Sequence, residues 1–150
     1  ALGAHVTVLS HSASKRADAL ALGADEFIVS SDAGAMKSAR SSFDLILNTV
    51  SAELDINAYL ALLKWNGTLV GLGLPGKPMA VQAFSLLDNR RSLSGSMIGG
   101  MPETQEMLDF CAEHGIVSEV ERITPAQISE AWDRVVASDV RYRFVIDVKA

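Results

Sequence analysis

The sequence is poor in cysteine, in net positive charge and in long apolar runs, and each shortage removes a class of function. Cys111 is the one cysteine among 150 residues, which excludes an internal disulfide. A lone thiol cannot by itself make a zinc site, which takes three or four ligands. The formal charge of -5 provides no basic face to neutralise phosphates along a duplex and so argues against nonspecific nucleic-acid binding, although a small anion can still find a local basic spot. No apolar run approaches the length of a membrane span, and the first residues lack the basic-then-apolar pattern of a secretory signal. The expected protein works in the cytoplasm, without a membrane partner. What is present is enough apolar material, 49% of the chain, for the core of one soluble domain.

Strand and helix patterns alternate along the chain. Residues 5–10 (HVTVLS) are β-branched and apolar, and residues 14–22 carry Ala17, Leu20 and Ala21 on one helical face with Gly23 placed to close it. Residues 26–29 predict a second strand and 35–39 a weak helix. Residues 43–50 (FDLILNTV) predict a third strand, apolar enough to be covered on both faces. Ile56, Tyr59, Leu60 and Leu63 repeat at helical spacing, with Asn66-Gly67 as the expected stop, and residues 68–72 predict a fourth strand. A glycine-rich loop at 71–76 follows, then a short helix at 84–89 and a strand at 92–98. Pro102 suits the first turn of a helix running to His114, with Met107, Leu108 and Cys111 inward. Residues 118–123 predict a further strand. Thr124-Pro125-Ala126-Gln127 is a capping box, and Ile128, Ala131, Trp132 and Val135 form the expected buried stripe of its helix. A last strand covers 143–148.

Strands separated by helices at this spacing predict an α/β fold, a doubly wound parallel sheet. Such a fold, when it binds dinucleotides, carries Gly-x-Gly-x-x-Gly between its first strand and first helix. No such motif occurs, and Ala1-Leu2-Gly3-Ala4 reads as the tail of a helix. The expectation is an incomplete Rossmann-like unit, residues 1–150, lacking its first strand and glycine-rich turn.

Ligands of doubly wound sheets bind beyond the carboxyl ends of the strands. Those ends, taken in order, are Ser10-His11-Ser12, Thr49-Val50-Ser51, Gly73-Leu74-Pro75 and Ser96-Met97-Ile98-Gly99. At the first of them an Asp or Glu would hold a ribose 2′-hydroxyl and repel a 2′-phosphate. This chain has no acid there. It offers Ser10, His11, Ser12 and Ser14 as donors and Lys15 and Arg16 as cations, a set suited to an anion at the start of the next helix. Local sequence alone also suits Ser14 as an ordinary helix cap and Lys15 and Arg16 as solvated charges. Their position after the second strand of the fold favours NADP over NAD.

The segments HVTVLSHSASKRADALALGAD, FDLILNTVSAELD, GTLVGLGLPG, SLSGSMIGGMPETQEMLDFCAEHGI and DVRYRFVIDV, taken in that order, resemble the C-terminal part of the medium-chain zinc-dependent alcohol dehydrogenases, in their cinnamyl-alcohol-dehydrogenase-like, NADP-dependent branch. The resemblance covers essentially the whole chain, and GSMIGG and VRYRFVIDV are its most specific parts. It implies reversible, NADPH-dependent reduction of aldehydes to primary alcohols, in a parent roughly twice this length. It also implies that Ser10, His11 and Lys15 contact the 2′-phosphate, with Ser12 and Arg16 as the next candidates. Thr49 and Val50 would border the adenosine and its ribose, and Leu72, Gly73 and Leu74 would line the nicotinamide. Ser96, Met97 and Ile98 would give backbone contacts to the carboxamide, with room made by Gly95 and Gly99. Arg141 matches an arginine near the pyrophosphate, with Arg143 as its alternative; both also suit plain surface charges. A homodimer is implied through residues 79–83 and 92–97.

The departures from the family are as informative. The Cys and His ligands of its catalytic zinc, which polarises the carbonyl before hydride transfer, are absent from this sequence. So is its structural four-cysteine site. Zinc is therefore expected only in the full-length parent, and no catalytic residue is expected here. Cys111 suits a small core residue, His114 a helix C-terminal residue, and Trp65 and Trp132 core packing; His5 has no evident partner.

In the usual strand order the absent first strand lies mid-sheet, which predicts unpaired edges on the strands at 5–10 and 43–49. Each unpaired buried backbone group costs on the order of a few kcal/mol, so the isolated 150 residues are not expected to form a functional monomer. Two other readings compete with an enzyme's coenzyme-binding part: a noncatalytic nucleotide-binding or interaction domain that has lost its enzyme half, and a zinc-free reductase of quinone oxidoreductase type. GSMIGG and VRYRFVIDV speak against the last.

Overall fold

The β-branched and apolar run at the start forms β1 (Thr7–Ser10), paired in parallel with β2 (Glu26–Val29), whose bounds match the sequence pattern. Between them a single 3-10 turn leads into α1 (Arg16–Ala21), and Gly23 takes the positive φ (98°) that lets the chain leave the helix. The Asp32 carboxylate accepts the N–H groups of Gly34 and Ala35, and so caps α2 (Ala33–Ser38). Then β3 (Phe43–Asn48), β4 (Leu63–Gly71) and β5 (Ser92–Gly95) make a parallel three-stranded sheet in that order. The described residues are 1–137 and 139–149 of this computed structural model, and they form two compact units, Ala1–Ile98 and Gly99–Ala150.

In the first unit the strand pairs share one core. Ile46, Ile56, Leu60, Leu62, Leu63 and Leu69 are buried together, and Leu9 of β1 and Ile28 of β2 pack against them. Fully burying a side chain of this size contributes roughly 1.5–3 kcal/mol, so these residues dominate the unit's stability. Among the described residues β1 and β3 are each paired along one edge only. The other face of β3 is open: Leu45 and Leu47 are more than half exposed on either side of buried Ile46, so the strand is covered on one face and not on both.

The helix expected to run from Ile56 to Asn66-Gly67 is much shorter. α3 (Ile56–Leu60) closes after little more than a turn, because the Leu62 carbonyl accepts from the N–H groups of Ser42 and Phe43 and draws the chain into β4. Leu63 is buried as a strand residue opposite Phe43, and the register then jumps to Leu45 opposite Thr68. Lys64, Trp65 and Asn66 bulge outward at that jump, with Asn66 at φ 60° and Trp65 exposed over solvent beneath the Arg90 guanidinium. Tertiary pairing therefore overrides the helical spacing of Leu63, and Trp65 is not a core residue.

α4 (Ala83–Leu87) and a 3-10 turn precede β5, which stops at Gly95 rather than continuing to Ile98. The second unit contains α5 (Met101–Glu113), β6 (Glu121–Ile123), α6 (Ile128–Val136) and β7 (Phe144–Ile146), with β6 and β7 parallel. Pro102 stands in the first turn of α5, and the Glu103 carboxylate accepts from the Gly100 N–H at 2.7 Å. Gln127 Oε1 likewise accepts from the Thr124 N–H ahead of α6. The expected inward faces are largely not buried. Met107 and Leu108 are about half exposed, and of the α6 stripe only Ala131 is buried, with Trp132 68% exposed. Periodicity correctly marks which residues share a face, but a unit with so few layers has little to cover that face with.

Candidate functional site

Because β3, β4 and β5 are parallel, their carboxyl ends form one rim, with Asn48, Gly71 and Gly95 aligned across it. Asn48 organises this rim. Its carbonyl accepts from the N–H groups of Leu72 (2.8 Å) and Gly73 (3.0 Å), while its side-chain Oδ1 accepts from Val50 N–H (3.1 Å). Ser51 Oγ accepts from Leu74 N–H at 3.3 Å. The loops leaving β3 and β4, which carry Thr49, Val50, Leu72, Gly73 and Leu74, are thereby held together. Ser51 belongs to the strand end Thr49-Val50-Ser51 expected from sequence, whereas Asn48 was not singled out there; the available signal was a polar amide ending an otherwise apolar strand.

Beyond β5, Ser96 N–H donates to the Gly71 carbonyl at 3.2 Å, continuing the ladder by one residue. Met97 and Ile98 then stand 88% and 93% exposed. Gly71 and Gly95 face each other in register, so this part of the rim carries little side-chain bulk and leaves backbone N–H and C=O groups approachable.

The end of β1 has a different chemistry. Ser12 and Ser14 hydroxyls are 2.8 Å apart, and Ser12 N–H donates to Ser10 Oγ at 3.4 Å. Ser31 Oγ donates to the His11 carbonyl at 3.1 Å, which ties the end of β2 to that of β1. Lys15 is exposed, whereas the Arg16 guanidinium lies 5.0 Å over the Phe27 ring. His11 also lines a cleft of ≈520 Å³ with the cations Lys37 and Arg40 and the carboxylates Glu53 and Asp55. Serine hydroxyls therefore gather at this strand end, next in sequence to the cations Lys15 and Arg16, with no carboxylate among residues 10–16.

Arg141 belongs to the second unit. Its backbone N–H donates to Glu121 Oε1 at 2.7 Å, and that hydrogen bond, followed by one from the Arg134 side chain, holds the Glu121 carboxyl below its ordinary value of 4.5. The same Glu121 carboxylate raises the pKa of Arg134. His5, for which the sequence named no partner, lies 3.4 Å from Asp25 and 3.7 Å from Glu26. Cys111 is half-buried with its Sγ 3.6 Å from Met107 Sδ, and His114 stacks on Phe110 at the end of α5. Among the described residues no three of His, Cys, Asp and Glu converge as a metal site, so these side chains do not fit a zinc ion. Nor is any described helix long and apolar enough to cross a membrane.

Known proteins share this sequence and fold. The NADP-dependent alcohol dehydrogenase C 1 of Mycolicibacterium smegmatis is 63% identical over 147 residues, which span 98% of this chain and 42% of that protein. Among solved structures, a cinnamyl alcohol dehydrogenase of Sorghum bicolor superposes with a TM-score of 0.92 at 42% identity, over 97% of this chain and 41% of its own. The CAD from Helicobacter pylori complexed with NADP(H) superposes with a TM-score of 0.85 at 33% identity, over 99% and 42% respectively. The chain thus spans about two fifths of the length of these relatives. The sequence pattern of the zinc-binding dehydrogenases matches residues 1–113, and the chain belongs to that family.

Proposed function

We propose that these residues are the coenzyme-binding part of an NADP(H)-dependent alcohol dehydrogenase that interconverts aldehydes and primary alcohols. The observation that carries the proposal is the end of β1, where Ser10, Ser12, Ser14 and Lys15 gather with no carboxylate among them. A 2′-phosphate needs hydroxyl donors and a cation and is repelled by the acid that an NAD site would place there. Ser10, His11 and Lys15 would bind that phosphate, with Ser12 and Arg16 next in line.

Thr49 and Val50 would border the adenosine, and Leu72, Gly73 and Leu74 the nicotinamide. Backbone groups of Ser96, Met97 and Ile98 would hold the carboxamide, and Arg141 would stand near the pyrophosphate. Bound NADPH supplies a hydride to the carbonyl carbon. The residues of this chain would orient the nicotinamide face and keep water from it. Zinc, which the family's name implies, is in this proposal held by residues of the whole enzyme outside these 150. The second edge of β5 has no strand partner among the described residues, and pairing it with a second copy would give a homodimer and remove an exposed edge.

Titration of the full-length protein with NADPH and NADH tests the reading. Tighter binding of NADPH, with turnover of an aldehyde, is the expected result; equal affinity for the two coenzymes overturns the assignment of Ser10, His11 and Lys15.

A further inference from the structure

Arg91 is the one buried charged residue among the described residues, with its side chain 2% exposed. Its Nε donates to the Leu63 carbonyl at the start of β4 (3.0 Å), and its Nη1 donates to the Asp88 carboxylate (2.8 Å) and the Ser85 carbonyl (3.4 Å). Its own N–H donates to the Leu86 carbonyl at 2.9 Å. One side chain thus ties the segment that enters β5 to the neighbouring strand.

The strand it precedes has little else to fix it. β5 is Ser-Leu-Ser-Gly, an edge strand in which Leu93 alone packs against the core. Register is weakly specified where a strand has few apolar side chains on its buried face. A slip of one residue would move everything beyond it by about 3.3 Å and turn each side chain to the other face. What lies beyond β5 is Ser96-Met97-Ile98, which starts with Ser96 N–H on the Gly71 carbonyl.

We infer that Arg91 is a positioning residue for coenzyme binding, setting the register of β5 and with it the backbone that meets the carboxamide end of NADPH. This rests on the coenzyme reading above. The two ends of the coenzyme then respond differently to loss of Arg91. The adenosine end meets residues following β1 and β3, which Arg91 does not touch, whereas the nicotinamide end meets the segment that Arg91 places.

The test uses the full-length enzyme and two ligands, NADPH and adenosine 2′,5′-bisphosphate, with dissociation constants from calorimetry. Arg91→Met is expected to weaken NADPH about tenfold while leaving the bisphosphate within about twofold. Equal weakening of both, or of neither, overturns the inference, because a merely structural role would not separate the two ends. If Arg91→Met does not yield folded protein, Arg91→Lys, which keeps the charge but loses the Nε donor to Leu63, is measured by the same ratio. A smaller loss confined to NADPH supports the inference and an unchanged ratio overturns it. Wild-type protein that binds neither ligand overturns the coenzyme reading, and this inference with it.

Discussion

Gly73 lies flush against the carbonyl group of Val50. A Cβ at Gly73 would fall onto the Val50 oxygen, 2.5 Å from the Val50 carbonyl carbon and 3.0 Å from that of Thr49. These neighbours are backbone held by Asn48, so they cannot swing aside as a flexible side chain would. Gly73→Ala is therefore expected to force the β3 and β4 exits apart, at a cost of about 1–3 kcal/mol for overpacking. Denaturant unfolding and an NADPH titration check this, with stability and affinity falling together; a variant with wild-type affinity would show that the contact is not part of the coenzyme rim.

The two cations after β1 are expected to differ. Arg16 is already engaged over the Phe27 ring, and Lys15 is exposed and follows Ser14 directly in the chain. Lys15→Ala should lower the NADPH-to-NADH ratio of kcat/KM by about tenfold, the loss of roughly 1.4 kcal/mol of phosphate binding. Arg16→Ala should change the ratio less and instead cost about 0.5–1 kcal/mol of stability from the lost cation–π contact. Steady-state kinetics with both coenzymes decides the matter, and a larger ratio change in the Arg16 variant would reverse the assignment.

Some strand ends were readable from sequence because parallel strands announce themselves as apolar runs: β2 and the end of β1 fell where those runs stop, while β3 ended at Asn48, two residues before Val50, and β5 at Gly95. Leu63 was misplaced because helical spacing alone cannot register that the Leu62 carbonyl receives the Ser42 and Phe43 N–H groups. Burial was misjudged for Trp65, Leu45, Met107 and Trp132, since periodicity gives a face but not what covers it. Asn48 and Arg91 escaped notice for a related reason. Their importance lies in which backbone groups they meet, and those partners are up to 28 residues away in sequence.

In the second unit, Glu121 sits between the Arg141 N–H and the Arg134 side chain, and Arg134 also reaches Asp139 at 3.4 Å. The folded carboxyl titrates below 4.5, the ordinary value that the unfolded chain would have. A depressed folded pKa stabilises the fold fully above the unfolded value and is lost as pH falls below 4.5 through the folded one. Glu121→Gln should therefore lower stability at neutral pH and make the β6–β7 unit less sensitive to acid between pH 4.5 and the folded pKa. Hydrogen exchange of the β6 and β7 amides across that range checks this; wild type and variant losing protection in parallel would count against the linkage.

Leu69 has no exposed surface, and its neighbours across the sheet are Ile46 and Leu93 in register. It is the one point at which all three strands of this sheet meet the core, so deleting its side chain should open a cavity that neighbouring strands cannot close without losing register. Leu69→Ala is expected to cost about 2–5 kcal/mol, and Leu69→Met, which nearly conserves volume, less than about 1.5 kcal/mol. Urea unfolding of the full-length protein, with an unchanged slope, provides the comparison. An alanine variant no less stable than the methionine variant would mean that the three strands do not converge on Leu69.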